Sequence, residues 1–115
     1  MIAAVSITPD GQVAPGWGRA RRIVTATVRD GVIADWQELD VAWDVLHDEG
    51  TEGAHHARVV RFLRENHVDT VITGRLGAGM ARTIEAMNIR LLQGQVGDVR
   101  SVVLEVAAGP ASDPV

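Results

Sequence analysis

The chain has 115 residues, 46% of them hydrophobic and 23% charged, with a formal net charge of −4; this predicts one ordinary soluble domain with one core and no broad basic surface for nucleic acid. Cysteine, lysine and tyrosine are absent and all 11 basic residues are arginine, so disulfides, thiolate ligands, a cysteine nucleophile, Schiff-base chemistry and a P-loop lysine are excluded. No stretch approaches a membrane span and the N-terminus lacks the basic start of a secretory signal, so a cytoplasmic protein without a membrane partner is expected.

Residues 1–8 form a nearly continuous apolar run, the pattern of a strand buried on both faces. Pro9, Gly11, Pro15, Gly16 and Gly18 make the stretch to Arg19 a loop. Two β-rich runs then flank Asp30-Gly31, a hairpin signal, which predicts strands over 21–29 and 32–39. An acidic loop comes next, with a short helical turn around 41–46. From Gly53 to Asn66 the period becomes helical: His56, Val60, Leu63 and His67 share a stripe that Val59 widens, and Arg58, Arg61 and Arg64 are read as solvated.

A short strand is predicted over 68–73, then a glycine turn, then a helix whose apolar spacing runs through Met80, Ala81, Ile84 and Met87. Asn88 is a left-handed stop and 89–92 a last strand. Asp98 is placed as the N-cap of a final helix packed through Val99, Val102, Val103, Val106 and Ala107. The order β-β-β-α-β-α-β-α implies a mixed five-stranded α/β sheet with helices on both faces. A single domain is expected over 1–108, with a flexible tail at 109–115.

In open α/β sheets, ligands bind beyond the carboxyl ends of the parallel strands. The loop 9–19, the start of the long helix at 50–56 and the glycine loop 74–80 should meet there. His55 and His56 are candidate metal ligands, with His47 and the acids Asp44, Asp48 and Glu49 just upstream. The packing alternative puts His56 on the apolar stripe and His55 in solvent. Arg75, Gly77 and Gly79 open a helix and offer amides and a guanidinium to an anion; the alternative is a tight turn that uses glycine only for its geometry. Trp17 and Arg19 form either a pocket wall with an anion-binding arm or a cap on the sheet edge; Trp36 and Trp43 are read as packing residues. Ser6 and Ser101 fall inside regular elements, and no nucleophile or acid–base set is visible, so enzymatic activity is not expected.

The segments 16–20 (GWGRA), 28–33 (VRDGVI), 52–63 (EGAHHARVVRFL), 68–80 (VDTVITGRLGAGM) and 88–92 (NIRLL), together with the opening strand MIAAVSI, resemble the dinitrogenase iron-molybdenum cofactor biosynthesis family, the small NifX/NafY-like proteins. The resemblance implies a ribonuclease-H-like fold without nuclease chemistry. It also implies a non-catalytic carrier for an iron–sulfur or iron-molybdenum cofactor or its precursor, with a cofactor-delivery protein as partner. His55 and His56 lie where relatives present ligands; where relatives usually read His-Phe-Gly, this chain has Gly16-Trp17-Gly18. Two other readings of the residues stay open: a metal-free sensor for a small anionic, phosphorylated ligand at the loop 74–79, and a protein-interaction module.

Overall fold

The computed structural model describes residues 1–109; of the expected tail, all beyond Gly109 lies outside the described residues. Strand β1 (Ile2–Ile7) runs through the middle of the sheet. On one side it pairs antiparallel with β2 (Arg22–Arg29), and β2 pairs antiparallel with β3 (Val32–Asp40). On its other side it pairs parallel with β4 (Thr70–Ile72), which pairs parallel with β5 (Arg90–Leu92). The strand order β3-β2-β1-β4-β5 is the expected mixed five-stranded sheet.

The continuous apolar run of β1 is explained by two cores. Alternate side chains leave a strand on opposite faces. Ala3, Val5 and Ile7 pack under α4 (Val99–Ala108) against Val99, Val102, Val103 and Val106. Ala4 faces the other way, into a core built from α2 (Glu52–Glu65) and α3 (Ala78–Ala86) through Val59, Leu63, Met80 and Ile84. Helices therefore cover both faces. None of the helices among the described residues is long and apolar enough to cross a membrane.

The local signals act as their chemistry requires. Asp30 and Gly31 adopt φ of 53° and 77°, the two positive values that a type I′ turn needs. The register then shifts, with Val28 opposite Ile33 but Thr27 opposite Asp35, so β3 carries a bulge at Ala34. Thr51 caps α2 by accepting from the Ala54 N–H at 3.0 Å, which starts the helix at Glu52 rather than Gly53. Asp98 caps α4 by accepting from the Ser101 N–H at 3.0 Å. Asn88, at φ 64°, ends α3 as expected. The short turn after β3 is α1 (Trp43–Leu46).

One expectation is corrected. The buried stripe of α2 is His55, Val59 and Leu63; Val59 and Leu63 are as expected, but His55 stands in place of His56, Val60 and His67. The buried face is turned by about 60°, less than the roughly 100° between successive residues. Both stripes include Val59 and Leu63, and helical spacing alone fits either. The deciding partner comes from α1: the Trp43 ring stands edge-on to His55 at 6.0 Å and to Phe62 at 5.4 Å. His67 is exposed, with φ 55°, and lies past the helix.

Ser6 and Thr73 join β1 to the residue after β4 through a fully buried hydroxyl pair, Oγ to Oγ1 at 2.8 Å. Removing one hydroxyl strands the other, at a cost of about 1–3 kcal/mol, whereas removing both is far milder. Ser6→Ala is therefore expected to destabilise the protein in urea unfolding more than Ser6→Ala/Thr73→Val. A double variant weaker than the single one would contradict this.

Candidate functional site

The sheet opens where its parallel strands end. The chain leaving β1 doubles back over the β4–α3 loop: Gly74 N–H donates to Ala14 O at 3.2 Å, and Trp17 N–H donates to Arg75 O at 3.1 Å. Gly16 and Arg75 form an isolated parallel bridge. These contacts lay Trp17 and Gly18 beside the start of α3. The C-terminal end of α1 and the first turn of α2 close the remaining side.

The result is a hollow of about 380 Å³. Trp17 and Gly18 line it from the first loop, His47 from the end of α1, Glu52, His55 and His56 from α2, and Leu76 to Met80 from the glycine loop and α3. The segments expected to converge do so, and α1 adds His47. His56 and the glycine loop share this space. A Cβ on Gly79 would lie 3.4 Å from His56 Cε1, so the imidazole stands directly over the opening turn of α3. No side chain among the described residues caps that turn, so the N–H groups of Ala78 and Gly79 are presented at the positive end of the helix.

The two adjacent histidines have different environments. His56 is half-buried and faces Glu52, with Nε2 3.8 Å from Oε2. His55 is 3% exposed and both its nitrogens are engaged. Arg58 Nη1 donates to Nδ1 at 2.8 Å, so Nδ1 carries a lone pair and Nε2 carries the proton that is donated to Gly18 O at 2.9 Å. This fixes the neutral Nε2–H tautomer. The same Arg58 Nη1 also reaches Leu46 O at 3.2 Å, tying α2 to α1. The His47 ring stands 4.7 Å from that of His55. Among the described residues, no three His, Cys, Asp or Glu side chains come together as ligands for one ion.

Burial holds the His55 imidazole below the ordinary histidine range; the Gly18 carbonyl opposes this, and the positive charges of Arg58 and protonated His47 and His56 reinforce it. The folded state therefore takes up this proton less readily than the unfolded chain, whose histidine titrates near about 6.5. This contribution to stability is complete above that pH and is lost as pH falls below it. The slope for one proton is at most about 1.4 kcal/mol per pH unit. Urea unfolding between pH 8 and pH 5 is expected to show this loss in wild type and a flatter profile in His55→Asn. Equal profiles would contradict it.

Other candidates stand elsewhere. The Arg19 guanidinium is exposed and paired with Asp48 at 3.1 Å, and it does not line the hollow; Asp48 is held below the usual carboxylate range by this contact and by His47. Arg75 contributes its backbone, while its exposed side chain also lies outside the lining. In this arrangement neither guanidinium forms part of the lining. Trp17 is both wall and core: it is 1% exposed, stands edge-on to Trp43 at 5.3 Å, and its buried indole N–H has no hydrogen-bond partner among the described residues. Trp43 is a packing residue, as expected; Trp36 is half-buried under the Arg100 guanidinium, 4.1 Å from its ring centroid.

Sequence reasoning missed Arg58, which it put in solvent, and the roles of Glu52, Leu76 and Met80 in the wall. The i, i+3 spacing of His55 and Arg58 was the available signal, since residues so spaced are neighbours on a helix.

No curated protein matches the chain in sequence. Solved structures share its fold. The crystal structure of PH0822 superposes with a TM-score of 0.73 at 17% identity, covering 91% of this chain and 87% of that one. The apo form of the orange protein from Desulfovibrio gigas gives 0.71 at 21% identity, covering 90% and 84%. An NMR structure from Thermotoga, described as a candidate NifB protein, gives 0.68 at 17% identity, covering 94% and 88%. At such identities the likeness is one of fold. The sequence profile of the family described as "Dinitrogenase iron-molybdenum cofactor" matches residues 1–109. That match spans nearly the whole chain, and this protein belongs to the dinitrogenase iron-molybdenum cofactor family.

Proposed function

We propose that this protein binds and carries a preassembled metal–sulfur cofactor, of iron–sulfur or iron-molybdenum type, or its precursor, in the hollow between α2 and α3, without altering it chemically. The observation that carries the reading is the meeting of His56 with the uncapped opening turn of α3 in one open space. A metal–sulfide cluster is a polyatomic anion whose sulfides accept hydrogen bonds, and amides at a helix start supply such donors with a favourable dipole. One exposed imidazole edge adds a ligand to a metal at the cluster surface.

The chemistry of the donors favours an intact cargo over a bare ion. Without thiolates, and without three side-chain donors grouped for one ion among the described residues, the hollow suits an already built unit. His47 stands as a second imidazole at the rim, and His55 acts by holding Gly18 in place. A carrier of this kind passes its cargo to an acceptor protein.

Anaerobic incubation with isolated iron-molybdenum cofactor or a preassembled [4Fe–4S] cluster, followed by gel filtration and absorbance, tests this. Wild type is expected to retain about one cluster per chain, and His56→Ala to hold it at least tenfold more weakly, about 1.4 kcal/mol. No retention by wild type, or equal retention by His56→Ala/His47→Ala, would overturn the proposal.

A further inference from the structure

We infer that Arg58 is a specificity-determining residue beside the hollow: by occupying the acceptor nitrogen of His55, it keeps the His47–His55 pair from capturing free divalent cations. The inference rests on the hollow being a cargo site, and it concerns what that site must refuse.

A neutral imidazole is a good ligand for zinc and similar ions through its unprotonated nitrogen. His47 and His55 have ring centroids 4.7 Å apart, and both line the hollow. Zinc–nitrogen bonds are about 2.0–2.1 Å long, so two imidazoles at this separation are within reach of one ion after modest rotation. A rim with such residues is a hazard for a carrier, because an ion seated there would compete with the cargo.

The hydrogen bonding removes that hazard at its centre. The one lone pair of His55 is on Nδ1, and it accepts from Arg58 Nη1 at 2.8 Å. The donor is a guanidinium, a planar group that offers only hydrogen-bond donors and carries a positive charge. It is also anchored at Leu46 O, which holds it against the ring. A cation approaching Nδ1 would have to displace a fixed positive charge. At the other nitrogen the proton is directed to Gly18 O. His55 is therefore a wall element that has the composition of a ligand but no free electron pair.

Arg58→Met keeps the aliphatic stem and removes the donor. Titration calorimetry of the apo chain with zinc chloride at pH 7.5 is expected to show at least tenfold tighter binding by Arg58→Met than by wild type. Arg58→Met/His55→Phe is expected to lose that gain. Nitrogen-15 NMR of the wild-type imidazoles supplies the second measurement, which needs no variant to fold: His55 should give the Nε2–H tautomer and keep its shifts when one equivalent of zinc is added. Equal zinc affinity in wild type and Arg58→Met, a gain that survives without His55, or a His55 signal that moves with zinc in wild type would each overturn the inference. None of these readouts involves the cluster, so failure here is separable from failure of the carrier reading.

Discussion

Trp43→Ala is expected to destabilise the protein by about 3–5 kcal/mol, the range for emptying a well-packed aromatic site. Trp43 is 2% exposed and touches three rings at once: Trp17 at 5.3 Å, Phe62 at 5.4 Å and His55 at 6.0 Å, all edge-on. Each such contact adds to the burial itself. The effect should spread beyond packing, because α1 is a single turn of four residues with no side-chain cap. A helix that short has no stability of its own, so its tryptophan is what anchors it. His47 and the Arg58 contact at Leu46 O both depend on that anchor. Urea unfolding should register the loss, and hydrogen exchange should show the amides of Leu46 and His47 opening first. A cost below about 1 kcal/mol would mean that the ring cluster is not a main support of the site.

The sheet was readable from the residues because its signals are local and mutually consistent. Asp30-Gly31 between two β-rich runs admits few structures other than a hairpin, and the run from Ile2 to Ile7 requires cover on both sides. Asp98 and Asn88 mark helix ends by chemistry that acts within one turn. The convergence of loop 9–19, α2 and the glycine loop came from topology, since the loops leaving parallel strands gather at one edge of the sheet. Rotation could not be read. The face that α2 buries is set by Trp43, a residue on another element, and periodicity cannot see it. That rotation exchanged the roles of His55 and His56 and brought Arg58 from solvent against the His55 ring. The two guanidiniums assigned to the site lie outside its lining: Arg19 has a partner in Asp48, 29 residues along the chain, and the Arg75 side chain is exposed while its backbone bridges to Gly16.

That crossing makes Gly74→Ala the sharper test of how the site is assembled. A Cβ at Gly74 would lie 2.7 Å from Pro15 O, 2.9 Å from Pro15 Cα and 3.0 Å from Ala14 O. All of these atoms are backbone, so no side chain can swing aside. The first loop would have to lift, stretching the Gly74 N–H to Ala14 O bond and the Trp17 N–H to Arg75 O bond. Overpacking of this kind costs about 1–3 kcal/mol, and each weakened hydrogen bond adds about 0.5–1.5. A total of about 2–6 kcal/mol is therefore expected from urea unfolding. Gly77 supplies the contrast within the same loop: its φ is −66°, and an added Cβ would meet nothing within 4 Å. Gly77→Ala should cost no more than about 1 kcal/mol, the difference between glycine and alanine at a helix N-cap. If the glycines served only to free the backbone for a ligand, the two substitutions would have similar effects on stability. A large difference between them would show that Gly74 is needed to let one loop pass over another, and that this crossing holds Trp17 and Gly18 against the hollow.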